Sequence, residues 1–400
     1  MLITCRSSMF GSFFRALALA FVLGSAAACT THDRLPAVPG DQALSVAFLG
    51  IPDSRFHLTT EPARFREVWL AAERRLARSR GRRLDTEHML ALSGGGDNGA
   101  FGAGILYGWS QRGDRPEFAL VTGVSTGALI APFAFLGRDY DEPLKAVYTA
   151  VDQTDIAVQR QALAVLTSDS LADTAPLARL IARHVTQEMI DKIGNEYRRG
   201  RLLLIGTTDL DLGQPVVWNI GAIAASGHPA AGEAIRKVLL ASASIPAFFP
   251  PVPIDVEVGG QRRQELHVDG GATTQAFLYP ANVPLRDLPR DVGARRRVAW
   301  IIRNGRTLER PVQVERGLVP LAQRSISTMI AANSMGDIYR MYLVNRRDSV
   351  DFNLAHVTSR FTLSNEKPFD RTYMNALFEH GRSEILRNAP WAKKPPGFEP

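Results

Sequence analysis

Apolar residues recur along this chain with two different spacings. From Glu61-Pro62 they fall at Phe65, Val68, Trp69, Ala72 and Leu76, in steps of three and four with Arg-rich positions between, which predicts a peripheral amphipathic helix. From Glu87 the pattern changes. A short apolar run, His88 to Leu92, enters a Gly-rich turn and gives way to an amphipathic stretch from Phe101 to Ser110. The same order repeats as Phe118 to Val121, a turn through Gly123 to Gly127, and a helix from Ala128 to Leu136. Two strand-turn-helix units in succession predict parallel strands under right-handed crossovers. Residues 140 to 200 read as mostly helical. Further strands are expected at Leu202 to Thr207, Pro215 to Asn219, Leu266 to Val268, Val298 to Ile302 and 349 to 357, with a long helix over roughly 312 to 346 and a last one from Tyr373 to Leu386. In the long helix Leu318, Leu321, Ile326, Met329 and Ile330 lie on helical steps; a core-facing stripe is the first expectation and a membrane-contact face the alternative. There is no internal repeat, so one α/β domain over residues 61–400 is expected.

The first segment reads as an address. Residues 1–28 carry Arg6 and Arg15 but no acid, then an apolar run from Ala16 to Leu23 and small residues from Gly24 to Ala28, the three regions of a secretory signal. The run is well short of the ~20 residues a membrane-spanning helix needs. Cys29 follows Ala26-Ala27-Ala28, which resembles a bacterial lipoprotein signal, although Ala26 stands where that family usually has Leu. Thr30 after Cys29 resembles the outer-membrane sorting pattern. The expectation is an exported protein of the cell envelope, anchored at the outer membrane by lipidation of Cys29; a periplasmic or secreted protein is the alternative. Residues 29–60, with several Pro and Gly, read as the lipidated terminus and a tether.

Composition narrows the chemistry. Only Cys5 and Cys29 are present, so the body can hold neither a disulfide framework nor a thiolate metal site, and catalysis must use hydroxyls, carboxylates and imidazoles. The formal charge of +7 is scattered apart from short clusters such as Arg82-Arg83 and Arg295 to Arg297; aromatic residues are 8% and form no basic stripe, so nucleic acid is not an expected partner.

Three motifs follow apolar runs. Gly123-Val124-Ser125-Thr126-Gly127 fits the nucleophile elbow G-x-S-x-G in its required setting, after a strand and before a helix. The small neighbours Gly123 and Gly127 let the chain turn back sharply, and the helix start behind Ser125 favours developing negative charge. Upstream, Ser93-Gly94-Gly95-Gly96-Asp97-Asn98-Gly99 exposes backbone N–H groups suited to an oxyanion or a phosphate. Gly94, Gly96 and Gly99 also satisfy G-x-G-x-x-G, but a dinucleotide site needs an acid at the end of the next strand, and that strand runs into the serine turn. Val268-Asp269-Gly270-Gly271 places a carboxylate on a loop with little bulk around it; by itself an ordinary Asp-Gly turn is the better explanation.

Together the three motifs, in this order, resemble the patatin-like phospholipase family. Thr207-Thr208-Asp209-Leu210 and the block from Ala241 to Val252 resemble two further segments of that family, so the likeness runs over about residues 88–390. It implies a three-layer α/β/α fold with a mainly parallel central sheet and a lipolytic serine acyl hydrolase that needs no metal or other cofactor. It implies Ser125 as nucleophile, Asp269 as general base, Gly94, Gly95 and Gly96 as oxyanion hole, and Gly270 and Gly271 beside the base. Asn98 departs from the Arg or Lys of many members. A Ser-His-Asp triad completed by His356 or His380, with His267 two residues before Asp269 as a tuning group, stays open, as does a lipid-binding lipoprotein without turnover. The lipid class is not readable.

Overall fold

The computed structural model describes residues 34–81, 85–159, 170–289, 295–308, 311–365, 367–387 and 390–398. The signal segment, Cys29 and the Arg82-Arg83 pair lie outside them. Nine strands form one mixed sheet: β1 (Arg55–Phe56), β2 (Thr86–Leu92), β3 (Leu120–Val124), β4 (Leu202–Asp209), β5 (Gln214–Asn219), β6 (Val252–Val258), β7 (Gln261–Asp269), β8 (Arg296–Arg303) and β9 (Val350–His356). Five run parallel in the order β4-β3-β2-β8-β9. Their sequences are near-continuous apolar runs, Met89 to Leu92 and Leu202 to Ile205 among them, because both faces are covered.

Among the described residues the helices of nine residues or more are α1 (Pro62–Arg80), α2 (Gly99–Arg112), α3 (Thr126–Leu136), α4 (Asp141–Thr149), α5 (Ala175–His184), α6 (Gln187–Arg198), α7 (Ala231–Ser242), α8 (Leu318–Arg347) and α9 (Arg371–Leu386). Alternate residues of β2 separate two cores. Leu90 and Leu92 join the helices α2 to α7 and α9, whereas Met89 and Ala91 join Phe65 and Trp69 of α1 and Ile338 of α8. That is the expected three-layer arrangement with a mostly parallel sheet.

The flank beyond β4 is antiparallel. There β4 pairs with β5, which carries β1 on its outer edge. β4 also outlasts β3: Val124 is the last residue of β3 and pairs with Gly206, and the next three residues of β4 pair instead with β7, as Thr207–Asp269, Thr208–Val268 and Asp209–His267. β6 then pairs antiparallel with β7.

Three sequence expectations need correction. Residues 34–60 are not a free tether, for Val38, Phe48 and Phe56 are buried, Phe48 packs edge-on against Trp218, and Arg55 forms a bidentate pair with Glu265. The hairpin of β6 with β7 was not anticipated, although Val252, Ile254, Val256 and Val258 are buried in strict alternation with exposed Pro253, Asp255 and Glu257. The long helix begins at Leu318 rather than 312, and none of its residues from Leu318 to Asn333 is buried, so the expected core stripe is absent from that half.

The Arg55–Glu265 pair ties the amino-terminal segment to the sheet with both side chains almost wholly buried. Burial acts to raise the Glu265 carboxyl, but the His267 hydrogen bond and the Arg55 charge hold it at about 2. Removing one partner leaves an uncompensated buried charge. Arg55→Met should therefore lower unfolding stability by about 3–5 kcal/mol, measured by denaturant titration; an unchanged midpoint would show that the segment is only loosely attached.

Candidate active site

The position of Ser125 follows from the end of β3. The backbone leaves Val124, takes φ 55° and ψ −127° at Ser125, and enters α3 at Thr126. For a residue with a side chain this is a strained conformation, of order 1–3 kcal/mol, that persists only where the surroundings enforce it. Two glycines permit it. A Cβ on Gly127 would lie 2.2 Å from the Leu92 carbonyl oxygen, and one on Gly123 would lie 2.4 Å from that of Gly127. Ser242, at the end of α7, fixes the turn: its Oγ accepts from the Ser125 N–H at 3.0 Å and donates to the Gly206 carbonyl at 2.7 Å.

Asp269 reaches the same place from the other direction. Paired with Thr207, it stands one step further along β4 than the Val124–Gly206 pair. Its N–H donates to the Ser244 carbonyl at 2.8 Å, so the segment 242–244 holds the backbone of both residues. The carboxylate accepts from the Gly271 N–H at 2.7 Å and has the Ser125 side chain as a neighbour. Ser125 and Asp269 are 4% and 1% exposed. Burial pushes the Asp269 carboxyl up to about 7, although the Ser125 side chain and the Gly271 N–H both favour the ionised form. At Gly270 a Cβ would meet the Gly206 carbonyl oxygen at 2.5 Å, so bulk there would separate β7 from β4.

The Gly-rich loop after β2 is held by residues that sequence reasoning missed. The Asn304 side chain donates to the Ser93 carbonyl at 2.7 Å and accepts from the Gly102 N–H at 3.1 Å. Gly94 differs from expectation: its N–H is donated to the Gln275 carbonyl at 3.1 Å, and a Cβ there would meet the Gln275 side chain at 2.2 Å. The amides of Gly95 and Gly96 form no such bond among the described residues. Asn98 accepts from the Tyr373 hydroxyl at 2.6 Å, which ties it to α9. Asn304 follows directly on β8, at the carboxyl edge where parallel sheets present their polar groups, and that position was the available signal. Ser242 lay inside the block already singled out.

No imidazole among the described residues bonds to Ser125 or Asp269. His267 is turned to Thr207, 2.9 Å from its Oγ1, and to Glu265 at 3.1 Å. His356 faces the Val357 carbonyl, and His380 lies against Phe101 and Phe361. Asp209, Glu265 and His267 bring potential metal ligands within 4.8 Å of one another, but Arg55 already supplies positive charge there and a cation would have to displace it. Beside Ser125 opens an apolar pocket lined by Leu129, Val147, Val151, Ile156, Leu180 and Phe249.

A family model described as Patatin-like phospholipase matches residues 90–288, a span that includes Gly94 to Gly96, Ser125 and Asp269. Among solved structures the chain is similar to VipD from Legionella pneumophila, at 13% identity and a TM-score of 0.36 over 76% of this chain and 67% of that one. Comparison with curated proteins gave no match.

The two glycines with unspent amides should respond differently to substitution. A Cβ on Gly95, at φ 158°, would lie 1.9 Å from the Asn304 carbonyl oxygen, whereas one on Gly96, at φ 58°, meets nothing within 4 Å. Gly95→Ala should slow fluorophosphonate labelling of Ser125 by about 10²–10³-fold through displacement of the donor loop. Gly96→Ala should lose far less, with left-handed strain of about 1–2 kcal/mol as its main effect. Equal losses in labelling would contradict this account of the loop.

Proposed function

Residues 90–288 belong to the patatin-like phospholipase family, whose members are lipid acyl hydrolases, and from that premise we propose that this chain cleaves acyl esters of membrane lipids through Ser125 and Asp269. The observation that supports the reading is the meeting of a strained, buried serine with a buried carboxylate of raised basicity. A serine hydroxyl is a weak nucleophile until a base within hydrogen-bond reach takes its proton. Asp269 is that base.

Ser125 Oγ attacks the acyl carbonyl carbon as its proton passes to Asp269. The carbonyl oxygen becomes an oxyanion beside the Gly95 and Gly96 amides, supported by the amino end of α3. Collapse of this intermediate breaks the ester bond, and the departing alcohol takes the proton from Asp269. The acyl group remains on Ser125. Water then repeats the sequence, giving up a proton to Asp269, attacking the acyl carbon and releasing the fatty acid and the free serine. The pocket formed by Leu129, Val147 and Phe249 suits an acyl chain, since it offers apolar contact and little to bind a polar group. Export and acylation of Cys29 would keep the enzyme on a bilayer surface.

Asp269→Asn should reduce hydrolysis of a phospholipid by about 10²–10⁴-fold, with products identified by mass spectrometry. Ser125→Ala should abolish fluorophosphonate labelling. Failure of the unaltered chain to label would favour a lipid-binding protein without turnover.

The raised carboxyl sets the pH dependence. Asp269 accepts a proton only when ionised, so kcat/KM should fall as the pH drops through about 7 and level off above it. An acid limb near pH 4 would mean that the carboxylate is hydrated during turnover and that burial does not set its basicity.

A further inference from the structure

The amino-terminal half of α8 is at odds with the rest of the molecule. Exposed large apolar side chains elsewhere are scattered, but Leu308, Val312, Leu318, Val319, Leu321 and Met329 crowd into one segment, with Leu318 86% and Met329 65% exposed. From Leu318 to Asn333 the helix has no buried residue. At 1.5 Å per residue this half spans about 24 Å. The other half is anchored: Ile338, Met341 and Tyr342 are buried, and the Asp337 carboxylate accepts from the Gln275 N–H at 2.6 Å.

The direction of the helix locates its free end. α8 leads into β9, which runs parallel to β8, so α8 runs back along the sheet and its beginning lies towards the carboxyl ends of the strands. Ser334 meets the Arg303 side chain at the end of β8, and Gln275, which Asp337 holds, is the residue whose carbonyl accepts from Gly94 of the oxyanion loop. Residues before Ser334 therefore project beyond the edge of the sheet on which Ser125 and Asp269 sit.

The composition of this half specifies what it meets. Between Leu318 and Gly336 the sole charged residue is Arg324, and there is no acid. At 100° per residue the exposed Leu318, Leu321, Ala322 and Met329 lie within one arc of about 100°, with Ser325 among them, while Arg324 falls outside it. An exposed apolar side, a single basic residue and no negative charge in this half match the acyl boundary and headgroups of an anionic membrane. We infer that residues 318–333 form an arm that seats in an anionic lipid bilayer and brings the catalytic edge of the sheet against it. The bilayer is chosen over a second copy of the chain because the arm stands on the edge where the substrate of the proposed reaction must arrive, and to that extent the inference rests on the proposed function.

The arm can be tested without turnover. In the full chain carrying Cys5→Ser and Cys29→Ser, an environment-sensitive dye is attached through Met329→Cys, and in a control chain through Glu233→Cys on α7. Vesicles containing phosphatidylglycerol should blue-shift and brighten the dye at 329 severalfold and leave the dye at 233 unchanged. No response at 329 overturns the inference. So does a response in vesicle-free buffer that grows with protein concentration, since it assigns the arm to a second copy. Replacing Leu318, Leu321 and Met329 together by Ser should abolish hydrolysis of vesicle phospholipid and spare that of a soluble short-chain ester; equal activity on both substrates also overturns it. If no ester is cleaved by any form, the enzymatic reading fails and the fluorescence result still decides the arm.

Discussion

Strand β4 continues for three residues past the end of β3, and its vacated edge there is taken by β7 running the opposite way. The rest of the site depends on that exchange. Because β3 stops at Val124, the chain is free to turn at Ser125; because β7 starts pairing at the next position of β4, Asp269 arrives beside that turn. Two segments more than 140 residues apart in the chain are thus brought side by side by the ladder of a single strand. Gly206 is the junction, its carbonyl bonded by Ser242 and crowded by Gly270.

Burial serves the two partners differently. It makes Asp269 a better base by disfavouring its charge, and that works only while no cation lies close to it. Four residues earlier on the same strand, Glu265 is buried as deeply but held ionised by Arg55 and His267. Neighbouring carboxylates on one strand therefore take opposite protonation behaviour from their partners. The histidine that might have been recruited to catalysis is instead held between Thr207 and Glu265.

Most of the sheet was legible in the sequence because parallel strands buried on both faces are written as plain apolar runs, and the elbow was legible because its glycines are demanded by contacts of 2.2 and 2.4 Å. β6 was missed because Pro253, Asp255 and Glu257 interrupt its apolar residues one by one, and the sequence reading assigned no element there. Arg55 and Phe56 were assigned to a tether because a two-residue strand leaves no periodic trace; what holds it is a charge 210 residues away. Asn304 and Gln275, which frame the Gly-rich loop, are single polar residues whose importance comes from long-range backbone contacts, and no local pattern encodes those. The stripe on α8 was read correctly as helical, but periodicity alone does not tell which solvent an apolar side faces.

Arg34 is already fastened to the body through an ion pair with Asp211. If Cys29 bears an acyl group, the intervening stretch can extend no further than roughly 18 Å, at up to 3.6 Å per residue. So short a leash would confine the whole globule to the headgroup region of its own membrane. It would leave little room for roaming between surfaces and would restrict the protein to lipids diffusing beneath it in the leaflet where it was moored.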